Sequence, residues 1–297
     1  LQANSRYQIK VDEIANYYFD NHKTKTTEKR KKLYEYRLKN YFGNMSIFNV
    51  SEAHIEHFKK LLLQDISEQT TIIYLELLST IFNFYKQKKH IKLNNPVCLV
   101  DKPRIDNIRL RFLSKEEIDL LFNEISGNFI MTLFLSLSLC TGGRKSTLLN
   151  YKVKDIDLTH QMINSYDFKN NSNYKSFLDS RTIELIKLRL DMSNQPNEYL
   201  IYIHGISNME RWISRMFKNV FDSLFNKGLD YNDRKNRVVL HTLRHTVLSH
   251  LGMKGTNQFI IKQISNHKSM QMLERYVKLN ADCGKQAINE LWNIPEP

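Results

Sequence analysis

Apolar residues return every three or four positions through most of the first hundred residues, and this period constrains the fold more than any other feature. Ile73, Tyr74, Leu77, Leu78, Ile81 and Tyr85 share one side of a helix, as do Val11, Ile14, Ala15 and Tyr18, and again Ile55, Phe58 and Leu62. Between the first two of these segments in chain order, KTKTTEKRKKLYEYRLKNYF carries a stripe of Leu33, Leu38, Tyr41 and Phe42 flanked by dense Lys and Arg. The pattern predicts four helices over residues 1–96, with a basic face. At Asn95-Pro96 the block must stop, because proline disfavours helical backbone in the residue before it. The polar, charged stretch 97–111, ending in DKPRIDNIRLR, reads as a linker.

A second domain is expected over 112–280. Ser114 and Glu117 have the spacing of a capping box, in which each side chain satisfies a free backbone donor at a helix start, and Ile118, Leu121, Phe122 and Ile125 continue the buried stripe. The run FIMTLFLSLSLC, Phe129 to Cys140, reads as a buried helix; it is far shorter than the ~20 residues needed to cross a hydrocarbon core. DIDLTHQMINSYDFK and YKSFLDS, rich in β-branched and aromatic residues around the turn-prone NNSN, predict a hairpin. Helices resume near Ser180, over Glu210 to Phe225, and after Leu240. The fold class is therefore mainly α with a small β-sheet, followed by a tail over 281–297 in which Ala287, Ile288, Leu291 and Trp292 share one helical face.

The chain carries 44 Lys and Arg against 31 Asp and Glu, a net charge of +13 spread along its length. Such a surface attracts polyanions, nucleic acid being the commonest, although a Lys-rich genome would leave the same mark. Cys98, Cys140 and Cys283 are far apart and odd in number, which indicates neither a disulfide framework nor a metal site, and implies a reducing cytoplasm. No signal peptide or membrane partner is read. The start at Leu rather than Met suggests that an upstream segment has been removed.

Three short motifs could carry chemistry. In CTGGRKSTLLN, paired glycines bring Arg144 to the start of a helix, where an arginine is placed to grip an anion; a solvated arginine after a turn would look the same. The motif lacks the Gly-Lys-Ser/Thr ending of a Walker loop. In HTLRHTVLSHLG, His241 and Arg244 are three apart and share a helix face, so both could address one phosphate. His241 and His245 have metal-pair spacing, but Thr242 stands where a zinc protease needs its glutamate. In ISNHKSMQMLERYVKL, read as an amphipathic helix, His267 precedes Tyr276 by nine positions.

The ordered set TGGR, a lysine in a hairpin, HTLRH, then Asn-His with a tyrosine nine residues on resembles the tyrosine recombinases of the phage-integrase family, whose usual forms are TG-x-R, H-x-L-R-H and G-H followed by the tyrosine. The resemblance covers about residues 7 to 290 and implies a helical core-binding domain, a mixed α/β catalytic domain and no metal or nucleotide cofactor. It further implies that Tyr276 is the nucleophile forming a 3′-phosphotyrosyl link, that Arg144 and Arg244 hold the phosphate, that His241 takes the phenol proton, and that His267 donates a hydrogen bond to phosphate. Lys169, with Lys175 as the second choice, would protonate the leaving 5′-oxygen. Implied partners are double-stranded DNA bound by a homotetramer on two sites, with the tail packing in trans or back on its own domain, and accessory DNA-bending proteins.

Two positions depart from the pattern. The family's R-x-S-E becomes Arg144-Lys-Ser-Thr147, so the carboxylate that commonly supports the pocket is missing. The glycine before the last histidine becomes Asn266, a residue that also tolerates positive φ. The chain is thus expected to be a site-specific recombinase or integrase of a mobile element, acting in a bacterial cytoplasm at the nucleoid. The rivals are a type IB topoisomerase and a DNA-binding architectural protein that does not cut.

Overall fold

In the computed structural model, the residues described are 9–24, 26–104, 111–168, 171–271 and 273. The chain divides into two compact units, Leu1–Asp106 and Asn107–Pro297. Among the predicted features, Lys169, Tyr276, the tail 281–297 and the middle of the linker lie outside the described residues.

The first unit is helical, as its period predicts. Ser67 caps the longest helix, accepting the Thr70 N–H at 3.4 Å, and His90 closes it in left-handed backbone at φ 50°. We label the helices α1 (Val11–Asn21), α2 (Thr27–Leu33, continuing through a π-helical turn Tyr34–Leu38 into Lys39–Phe42), α3 (Glu52–Asp65) and α4 (Glu68–Lys89). The buried face of α4 is Tyr74, Leu75, Leu77, Leu78, Ile81 and Phe82; Ile73, assigned to that stripe from sequence, sits on its flank and is 41% exposed. The π turn adds a residue to α2 and keeps Tyr34, Leu38 and Phe42 all fully buried, with the Tyr34 hydroxyl donating to Asp12 Oδ1 at 3.1 Å. After Pro96 the chain makes a 3₁₀ turn, Pro96–Leu99, and Val97 and Val100 still pack on this core.

The second unit opens with α5 (Lys115–Ile125), where Ser114 Oγ accepts the Glu117 N–H at 3.2 Å and Glu117 Oε2 accepts the Ser114 N–H at 2.9 Å. Next comes α6 (Phe129–Thr141), apolar on all sides because neighbours surround it; α5, α8 (Ser180–Met192) and α10 (Leu240–Met253) pack against it. Short α7 (Lys145–Leu148) leads to β1 (Ile156–Asp157), β2 (Met162–Asp167) and β3 (Ser172–Phe177), an antiparallel sheet in that order. The segment read as one strand from Asp155 to Lys169 is two, because Asp157 Oδ1 accepts the His160 N–H at 3.0 Å and Gln161 takes φ 53°, turning the chain back. Then α9 (Met209–Leu224) and α11 (Gln258–Ser265) complete the described α-helices. Among the described residues no helix is long and apolar enough to cross a membrane.

Candidate functional site

The glycine pair shapes the turn that delivers Arg144. Gly142 ends α6 in left-handed backbone at φ 59°, its N–H donating to the Ser138 carbonyl at 3.0 Å. Gly143 is closely packed: a Cβ there would stand 2.9 Å from Leu148 Cδ2 and 3.0 Å from Thr141 Oγ1, so those side chains would have to shift. Arg144 then follows in extended backbone as the cap residue of α7. Because α7 has only four residues, its dipole contributes little.

Arg244 lies in α10 and is 3% exposed. A charge buried that deeply must be met by hydrogen bonds, and it is: Nη1 donates to the Gly142 carbonyl at 2.7 Å and Nη2 to the Ser265 carbonyl at 2.5 Å, with Nη2 also 3.3 Å from His267 Nε2. One side chain thus fastens the glycine turn, the end of α11 and the last histidine together. His267 Nδ1 lies 2.6 Å from Ser265 Oγ. A neutral ring that accepts from Arg244 at Nε2 carries its proton at Nδ1 and donates it to that hydroxyl.

The sequence reads Ile264 to Leu279 as one helix, but α11 stops at Ser265, because Asn266 takes left-handed backbone at φ 48°, ψ 45°, the conformation its residue type tolerates. Residues 266–271 are not helical, and 274–279 lie outside the described residues. The Asn266 side chain donates from Nδ2 to Asp167 Oδ2 and to Ser172 Oγ, each at 3.2 Å. Asp167 Oδ2 also accepts Arg144 Nη1 at 2.5 Å. Thr147 uses its hydroxyl to donate to the Tyr166 carbonyl at 3.0 Å, fixing α7 to β2.

His241 stands exposed in the first turn of α10, its ring edge-on to that of His245 with centroids 4.7 Å apart. Arg144, His241 and Arg244 line one pocket of about 630 Å³, together with Lys145, Lys218, Arg234 and Arg237. Its acidic residues are Asp222 and Asp233. Asp222 is bound by Lys218 Nζ at 2.6 Å, Asn226 Nδ2 at 2.8 Å and Arg237 Nη2 at 2.5 Å, contacts that hold its carboxyl below the usual range, the Lys218 bond most of all. Asn226 also exchanges hydrogen bonds with the backbone of Val238, at 3.0 and 2.8 Å, and so fixes the approach to α10. The pocket is cationic and suits a phosphate diester.

Of the predicted set, Arg144, His241, Arg244 and His267 are thus drawn to one region from three distant segments. Lys175 stands on the exposed face of β3, opposite Asn164, whereas Asp167 belongs to the buried row of β2. Lys169 and Tyr276 lie outside the described residues. Among those described, no group of three or more His, Cys, Asp or Glu side chains could hold a metal ion. Sequence reasoning missed Asp167 and the side-chain role of Asn266. A signal existed: Ile163, Ser165 and Asp167 share one parity of β2, and a carboxylate on an inward row demands a cationic partner.

Residues 111–282 match the sequence model of the Phage integrase family. A tyrosine recombinase of Pseudothermotoga lettingae is 28% identical over 253 residues, covering 84% of this chain and 85% of its own. The Tn1549 transposon integrase, solved in complex with a circular intermediate DNA, superposes with a TM-score of 0.74 at 15% identity, over 95% of this chain and 99% of that one. A lambda integrase tetramer bound to a Holliday junction gives 0.71 at 15% identity, over 90% and 80%.

Proposed function

Because the chain belongs to the phage integrase family, we propose that it is a site-specific DNA recombinase that cuts and rejoins strands through a 3′-phosphotyrosyl intermediate on Tyr276. The observation that carries this reading is the convergence of Arg144 and Arg244 on one cationic pocket, Arg144 held by the buried Asp167 and Arg244 by the Gly142 and Ser265 carbonyls.

The Tyr276 hydroxyl attacks phosphorus, the bond to the 5′-oxygen breaks, and a phosphotyrosine forms at the 3′ end. A phenol with a pKa near ~10 must lose its proton as it attacks; His241 receives it, and Lys169 gives one to the departing 5′-oxygen. The two guanidiniums neutralise charge that grows on the non-bridging oxygens. One phosphodiester bond is exchanged for another of similar energy, so a 5′-hydroxyl from a second duplex can reverse the step without nucleotide hydrolysis. The likenesses to transposon and lambda integrases support duplex DNA as the partner, a tetramer on two sites as the assembly, and a mobile element as the setting.

The test is covalent capture. The protein and a Tyr276→Phe variant are incubated with fragmented DNA of the source genome in chelator, denatured, and any attached DNA is sequenced. An adduct enriched at one locus and absent from the variant supports the reading. Salt-sensitive binding with no adduct, even on nicked duplexes, would turn it towards a binding protein; adducts scattered without a locus and relaxing supercoils would favour a topoisomerase.

A further inference from the structure

Asp167 is the one charged residue in the buried row of β2, and it is 0% exposed. Strand alternation puts it beside Ile163 and Ser165, where an apolar or small residue would normally pack. A carboxylate there is tolerated only if cationic or hydrogen-bonding partners replace the water it has lost. Its Oδ2 accepts Arg144 Nη1 at 2.5 Å and Asn266 Nδ2 at 3.2 Å, contacts that span 23 and 99 residues of chain.

Three residues after Arg144, where the resembled pattern places a glutamate, this chain has Thr147. The threonine is buried, and its hydroxyl bonds to the Tyr166 carbonyl, the peptide that leads into Asp167. The short side chain therefore holds α7 against β2 at the point from which the aspartate reaches Arg144. Arg144 has a supporting carboxylate after all, delivered by the strand and not by the helix.

We propose that Asp167 is the positioning residue of Arg144, taking over the task of the carboxylate absent at position 147. Its charge orients the guanidinium through Nη1, leaving the remaining donor edge to face the phosphate, and low local dielectric strengthens that hold. Because the same oxygen accepts from Asn266, Asp167 also fixes the turn that presents His267. The first and third motifs are thereby registered against one another through the hairpin. This inference rests on the proposed role of Arg144 at the scissile phosphate.

The test uses nicked duplexes carrying the locus recovered by covalent capture, and reads single-turnover adduct formation at saturating protein separately from the Kd for DNA at fixed salt. Asp167→Asn, which keeps the shape and removes the charge, is expected to slow adduct formation at least tenfold while changing Kd less than threefold. The double variant Thr147→Glu/Asp167→Asn, which moves the carboxylate to the helix, should recover at least a third of the wild-type rate. Thermal unfolding of each variant separates positioning from mere support of the fold. If Asp167→Asn does not stay folded, the double variant decides: folded and cleaving supports the proposal, folded and inactive overturns it. Equal rates for wild type and Asp167→Asn overturn the proposal alone. A wild type that forms no adduct overturns it together with the functional reading.

Discussion

Replacing Arg244 by lysine keeps the charge and loses the fork, and the structure specifies what that costs. Nη1 and Nη2 bind two carbonyls on separate segments, Gly142 at 2.7 Å and Ser265 at 2.5 Å, both in a site where Arg244 is 3% exposed. A single ammonium can satisfy one of them. The other loses a charge-assisted bond, for which the usual cost is about 1.5–3 kcal/mol. In a unit of this size each kcal/mol moves Tm by ~2–4 °C, so Arg244→Lys should lower the Tm of the second unit by roughly 3–12 °C. Arg144→Lys provides the contrast, because among the described residues Arg144 is held by an ion pair to Asp167 that lysine can remake. Its Tm should fall by less than about 3 °C by the same conversion. Both variants should nevertheless lose ~10²–10³ in single-turnover cleavage, the usual effect of removing an oriented donor from a developing anion. Calorimetry together with cleavage of a nicked duplex measures both quantities. Equal Tm losses for the two variants would refute the argument that Arg244 is a three-segment fastener as well as a phosphate ligand.

Three further outcomes follow from particular contacts. Gly142→Ala should destabilise by about 1–2 kcal/mol because of its φ of 59°, and Gly142→Asn by less; equal losses in chemical denaturation would mean that packing, not backbone strain, sets the cost. Glu117 is held below the usual carboxylate range chiefly by its bond from Arg111, with Nη2 to Oε1 at 2.5 Å. A lowered native pKa adds stability above the unfolded value near ~4.3 that is lost as pH falls through the native value, so Glu117→Gln should flatten the acid limb of a stability–pH curve and leave its alkaline limb unchanged. Partial burial of the Cys140 thiol pushes it up to about 11, so in a Cys283→Ser background a disulfide reagent at pH 8 should titrate exposed Cys98 faster than Cys140; equal rates for the two thiols would contradict the shift.

The elements of this protein are legible in its sequence because they rest on local rules. Helical period marks α1, α3 and α4, the Ser114–Glu117 box starts α5, and the left-handed tolerance of Asn266 foreshadows the turn that ends α11. The motifs around Arg144, His241, Arg244 and His267 were readable for the same reason, since each is a short string of residue types with a chemical use. Periodicity says which side of an element is buried. It does not say which element will cover it. That is why the inward parity of Asp167 could be read along β2 while its partners could not: Arg144 and Asn266 reach it only when α7 and the turn after α11 are packed against the hairpin. The division of Asp155 to Lys169 into two strands, and the grip of Arg244 on carbonyls 102 and 21 residues away, were decided in the same way. Sequence determined which side chains could do the chemistry. Tertiary packing decided which carboxylate holds the first arginine, because a buried charge is stable only where distant segments supply its counter-charge.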